Sequence, residues 1–229
     1  MALLIFAVLS LLVAGELQAG VVVGGTRFIF PADRESISIL LTNTSQESWL
    51  INSKINRPTP WAGGEASTVP APLLAAPPLI LLKPGTTGTL RLLRTESDIL
   101  PVDRETLFEL SIASVPSGKV ENQSVKVAMR SVFKLFWRPE GLPGDPLEAY
   151  QQLRWTRNSQ GVQLTNPTPY YINLIQVSVN GKALSNVGVV PPKSQRQTSW
   201  CQAIAPCHVA WRAINDYGGL SAKKEQNLP

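Results

Sequence analysis

Apolar and polar residues alternate with period two along most of this chain, and turn residues cut the alternation roughly every 8–12 positions, a rhythm that builds short strands rather than helices. Ile37, Ile39 and Leu41 alternate with Ser36, Ser38 and Leu40 before Asn43-Thr44-Ser45 stops the run. Trp49, Ile51 and Ile55 follow, then Arg57-Pro58-Thr59-Pro60 and Gly63-Gly64. Leu79 to Leu82 run into the turn Lys83-Pro84-Gly85 and on to alternating Thr87, Thr89 and Arg91. Val125, Val127 and Met129 alternate with Lys126, Ala128 and Arg130, and apolar residues continue to Trp137. The chain is 44% apolar and only 16% charged, so it can bury a core, and bulk disorder is excluded.

Arg138 to Pro146 hold three prolines and two glycines in nine residues. Prolines remove ladder donors and fix turns, so a domain boundary is predicted there. Strand signals resume at Val162 to Thr165 and at Tyr170 to Val179, which ends in the hairpin turn Asn180-Gly181. Val187 to Val190, Val209 to Trp211 and Ile214 complete the pattern. The expected fold is all-β, with two sandwiches over residues 20–139 and 140–229.

Residues 1–19 read as a secretory signal peptide. Leu3 to Ala14 is an almost unbroken apolar run, too short to span a bilayer as a helix, and cleavage is expected after Leu17-Gln18-Ala19. Export bears on the cysteines. Cys201 and Cys207 enclose five residues, and a disulfide between them is expected after export; two buried free thiols are the alternative.

One histidine and two cysteines exclude multi-histidine zinc sites and four-cysteine clusters, and no phosphate-cradling or calcium-loop string is present. No metal or cofactor is expected. The net charge of +5 comes from dispersed basic residues without a nucleic-acid-binding motif, so no nucleic-acid partner is expected. No nucleophile accompanies His208 or Asp216, so no catalytic residue is expected.

Thr26-Arg27-Phe28-Ile29-Phe30, Asp103-Arg104-Glu105-Thr106-Leu107-Phe108, Lys134-Leu135-Phe136-Trp137-Arg138-Pro139, Asn166-Pro167-Thr168-Pro169-Tyr170-Tyr171 and Ile214-Asn215-Asp216-Tyr217-Gly218-Gly219 carry a resemblance. In this order and spacing they resemble the periplasmic chaperones of the chaperone–usher pilus pathway. The likeness covers essentially the whole chain after residue 19. It implies two immunoglobulin-like sandwiches set in an L, a periplasmic location, pilus subunits and an outer-membrane usher as partners, and a self-capping dimer of the free protein. The short stretch Pro116-Ser117-Gly118-Lys119, with no flanking cysteine pair, resembles the short-loop subclass.

The resemblance also implies roles. Arg27 and Lys134 would hold the subunit's C-terminal carboxylate by charge-assisted hydrogen bonds. Val125, Val127 and Met129 would be donor residues lent to a subunit that lacks its own last strand; an ordinary core-facing stripe is the competing reading of the same alternation. Glu105, Arg138 and Asp216 would set the angle between the domains. The competing function is an exported two-domain immunoglobulin-like adhesion module, which has no need of paired cations between its domains.

Overall fold

The structure, a computed structural model, describes residues 20–58, 71–95, 100–118, 126–185, 187–202 and 206–229. The expected signal peptide therefore lies outside the described residues. The first sandwich is built from β1 (Val21–Val23), β2 (Arg27–Pro31), β3 (Ser36–Asn43), β4 (Trp49–Asn56), β5 (Leu73–Ala76), β6 (Leu79–Leu82), β7 (Thr87–Arg94), β8 (Thr106–Pro116) and β9 (Met129–Arg138). One of its sheets has the order β1-β3-β7-β5 and the other β2-β9-β8-β4-β6. The second sandwich contains β10 (Arg154–Asn158), β11 (Gly161–Asn166), β12 (Ile172–Val179), β13 (Lys182–Ala183), β14 (Val189–Val190), β15 (Ser194–Thr198), β16 (Cys207–Ile214) and β17 (Lys224–Leu228), preceded by a 3-10 turn at Ala149–Gln152. Its sheets run β10-β11-β15 and β13-β12-β16-β17, with β14 also paired to β12.

Period-two patterning explains each core. Ile39 and Leu41 point inward with Leu90 and Leu92, and Phe108, Leu110 and Leu135 close the same cluster from the facing sheet. Phe30 stacks on Trp137 with ring centroids 5.3 Å apart. In the second sandwich Trp155 and Trp211 lie 5.0 Å apart, surrounded by Leu164, Val177 and Val209.

Turn chemistry follows the residues. Proline at Pro84 and the positive φ of Gly85 (67°) form a tight turn closed by the Thr86 N–H on the Lys83 carbonyl. Asn180 and Gly181 both take positive φ, the combination of a type I′ hairpin between β12 and β13. At Gly88 a Cβ would lie 2.7 Å from the Leu82 side chain, so a larger residue on β7 would have to displace it.

The two sandwiches share one polar device. Fully buried Asn43 donates through Nδ2 to the carbonyls of Glu47, Leu82 and Lys83, and accepts from Ser45 at Oδ1. Fully buried Asn166 does the same with Tyr170, Val190, Pro191 and Thr168. Each asparagine satisfies carbonyls where a strand gives way to a loop. Cys201 and Cys207 form the expected disulfide, with Cα atoms 5.9 Å apart.

Candidate functional site

The site lies where the β2-β9 edge of the first sandwich meets the second. These strands run parallel, in register from Arg27↔Lys134 to Pro31↔Arg138. Phe28, Phe30, Leu135 and Trp137 face the first core, so Arg27, Lys134, Phe136 and Arg138 share the opposite face. That face meets the second sandwich: Phe136 packs on Tyr171 at 5.6 Å between ring centroids, and Arg138 pairs with Asp216.

Arg27 and Lys134 are thus neighbours on adjacent strands, both half-buried. Arg27 Nη1 donates to the Ile214 carbonyl at 3.2 Å, while its Nε is shielded and has no partner among the described residues. Burial lowers the pKa of both groups; Lys134 is lowered further by Arg27 and supported by Glu109, while Arg27 is supported by Asp216. Two cations in a partly dry cleft favour an acceptor-only anion between them, because its charge offsets both desolvation and mutual repulsion.

Glu105, Arg138 and Asp216 come together as an ion triad. Arg138 Nε donates to Glu105 Oε1 at 2.7 Å, and Nη1 and Nη2 reach Asp216 at 2.7 and 3.1 Å. Glu105, only 3% exposed, also accepts the Tyr171 N–H at 2.7 Å. Burial pushes its carboxyl up against the pull of Arg138. Burial alone would lower Arg138, but its bonds to the two carboxylates hold it above its ordinary value. A further link between the sandwiches, Lys193 Nζ to Asp103 Oδ2 at 2.6 Å, was not foreseen from the sequence.

The residues of the alternating stripe are placed unequally. Val125 lies outside the described residues. Val127 precedes β9 and is 64% exposed, and Met129, the first residue of β9, is 52% exposed. Met129 opposes Ser114 and falls on the core-facing side by parity. Nevertheless β2 pairs only with Lys134–Arg138, so on its outer edge β9 has no strand partner from Met129 to Phe133 among the described residues. The arrangement is an unpaired strand edge with exposed apolar side chains, leading to a pair of cations in a cleft. Among the described residues no group of three or more acidic, histidine or cysteine side chains could hold a metal.

Two immunoglobulin-like sandwiches with a pair of half-buried cations between them define the architecture of a pilus-assembly chaperone. Residues 20–143 match the model for the N-terminal domain of the pili and flagellar-assembly chaperone PapD, and residues 148–225 match the pili assembly chaperone PapD C-terminal domain. The chain belongs to this family of pilus-assembly chaperones. It is 99% identical over 229 residues to the uncharacterized fimbrial chaperone YcbF of Escherichia coli (strain K12), covering 100% of this chain and 97% of that one. It is 32% identical to the chaperone protein FimC of the same strain, over 94% of this chain and 87% of FimC. Among solved structures, the complex of Salmonella enterica SafA pilin with the SafB chaperone contains a chain matching at TM-score 0.78 and 30% identity, with 94% of this chain and 99% of that chain covered. The crystal structure of the YadV chaperone matches at TM-score 0.75 and 30% identity, covering 92% and 100%.

Proposed function

We propose that the protein is a periplasmic chaperone that captures pilus subunits by adding its β9 edge to them, caps them against aggregation, and delivers them to an outer-membrane usher. The observation that carries this reading is the side-by-side placement of Arg27 and Lys134 at the foot of an unpaired strand edge. The cations take the subunit's C-terminal carboxylate and so set the register, while Val125, Val127 and Met129 fill the groove left by the subunit's missing strand. That the SafB chaperone is seen with the SafA pilin supports this reading. Glu105, Arg138 and Asp216 hold the angle between an N-terminal domain ending at residue 139 and a C-terminal domain beginning at 140. Binding uses no cofactor and no reaction step. Capping of the same edge by a second copy in the free protein belongs to the same proposal.

A photo-crosslinking residue at position 127 tests it. In periplasm containing a co-expressed cognate subunit, it should give a chaperone–subunit adduct that disappears when Arg27 and Lys134 are both changed to alanine. An adduct of unchanged yield in that double variant would overturn the anchoring role.

A further inference from the structure

Asn173 interrupts the apolar strand β12 and points away from the second core, which Ile172 and Leu174 fill from either side of it. Its register partner is Ile214, the residue whose carbonyl accepts Arg27 Nη1. Asn173 is 7% exposed, and its Oδ1 is shielded from solvent without a hydrogen-bond partner among the described residues. A shielded acceptor of this kind gains when a donor reaches it. A water-sized cavity of about 20 Å3 lies against it, lined also by Tyr171, Ile214, Asn215 and Ser221. Two other polar side chains there are engaged. Asn215 Oδ1 accepts the Tyr217 and Gly219 N–H groups, and Ser221 Oγ is held between Ala213 N and Ala222 O.

We propose that Asn173 Oδ1 accepts the backbone N–H of the captured subunit's terminal residue, an inference that rests on Arg27 and Lys134 holding that residue's carboxylate. The unused groups are complementary to one chain end. Among the described residues Arg27 Nε is a shielded donor without a partner and Asn173 Oδ1 a shielded acceptor without one, and a terminal residue brings both an acceptor carboxylate and a donor N–H. The spacing also agrees. Carboxylate and N–H of one residue are separated by a single Cα, about 3–4 Å, and Asn173 sits one strand spacing, about 4.8 Å, from the Ile214 backbone that Arg27 touches. The broad torsion of the amide lets Oδ1 turn toward the cleft when the subunit arrives. Asn173 would then be a positioning residue that makes the site read the end of a chain rather than negative charge alone.

The test is calorimetric titration of synthetic peptides copying the last ten residues of the cognate subunit. One peptide is unmodified, one is N-methylated at the terminal residue's amide, and one has its terminal carboxyl amidated. Each is titrated into the wild-type protein and the Asn173→Leu and Asn173→Ala variants. N-methylation should weaken wild-type binding about tenfold and leave binding to either variant unchanged, while both variants bind the unmodified peptide about tenfold more weakly than wild type. Amidation should weaken all three proteins. An equal N-methyl penalty in all three proteins, or wild-type affinity in both variants, would overturn this inference alone. Amidation without effect on any protein would overturn the carboxylate anchor and this inference with it.

Discussion

Arg138 grips Asp216 with two nitrogens of one guanidinium, Nη1 on Oδ2 at 2.7 Å and Nη2 on Oδ1 at 3.1 Å, and so ties the last residue of β9 to the loop after β16. Its Nε donates to Glu105 Oε1 at 2.7 Å, with Nη2 also 2.6 Å from that oxygen, and the Glu105 side chain is almost wholly buried. The planar fork serves both carboxylates at once, which a lysine could not do. This relationship joins the two sandwiches beside the cleft.

Removing Arg138 should therefore be costly. Arg138→Ala leaves Glu105 buried and uncompensated, with an expected loss of about 3–5 kcal/mol of stability. Urea unfolding measures it, and a loss below about 1 kcal/mol would mean the triad behaves as an ordinary surface pair.

Val127 should be replaceable without loss of fold. At 64% exposure it contributes little to the first core, so Val127→Asp should keep the wild-type circular dichroism spectrum and melting temperature. Subunit capture should be abolished, because a charge would have to enter an apolar groove. A folded variant that captures subunit normally would remove Val127 from the donor role.

Much of this was legible in the residues, for reasons that differ along the chain. Ile39 and Leu41 lie on a strand covered by a facing sheet, so period two translated directly into burial. Val127 and Met129 carry the same alternation, yet they are exposed where no second strand flanks β9; periodicity reports a face, not what covers it. Strand β15, Ser-Gln-Arg-Gln-Thr, has no apolar rhythm and is recruited by its ladder to β11, which propensity does not announce. Cys207 to Ile214 read as broken pieces and form one strand. Arg27, Lys134, Glu105, Arg138 and Asp216 are singled out in the sequence by resemblance alone, since single charges carry no periodic signal. Asn173, proposed above, leaves one trace in the sequence, a lone amide inside an apolar run.

Binding should weaken on the alkaline side. Burial and then Arg27 lower the Lys134 pKa below its ordinary 10.5, so the free protein releases this proton earlier than an exposed lysine does. A bound carboxylate favours the charged form and raises that pKa again, so subunit binding takes up a proton in the window between the two values. Affinity should be constant near neutral pH and fall as pH rises through the free protein's lowered Lys134 pKa. Titrations across that range measure it, and Lys134→Met should bind weakly with no such fall. A wild-type affinity that rises with pH would contradict the assignment.

The disulfide should be a modest staple. Closing a loop of about seven residues is worth roughly 2.4 kcal/mol in the chain-entropy relation, and the bridge spans six positions far in sequence from the cleft residues Arg27 and Lys134. Replacing Cys201 and Cys207 with serine should lower the stability found by chemical denaturation by about that amount, with subunit capture retained. Loss of capture in a folded variant would tie the bridge to the site.

The most direct test is recovery of a tagged cognate subunit with the chaperone from periplasmic extract, comparing wild type with Arg27→Ala, Lys134→Ala and the two combined. Each single change removes one partner of a charge-assisted contact, and affinity should fall about ten- to hundredfold. The combined variant should recover almost no subunit while retaining the wild-type fold. Subunit recovered at the wild-type level with both cations removed would contradict the account.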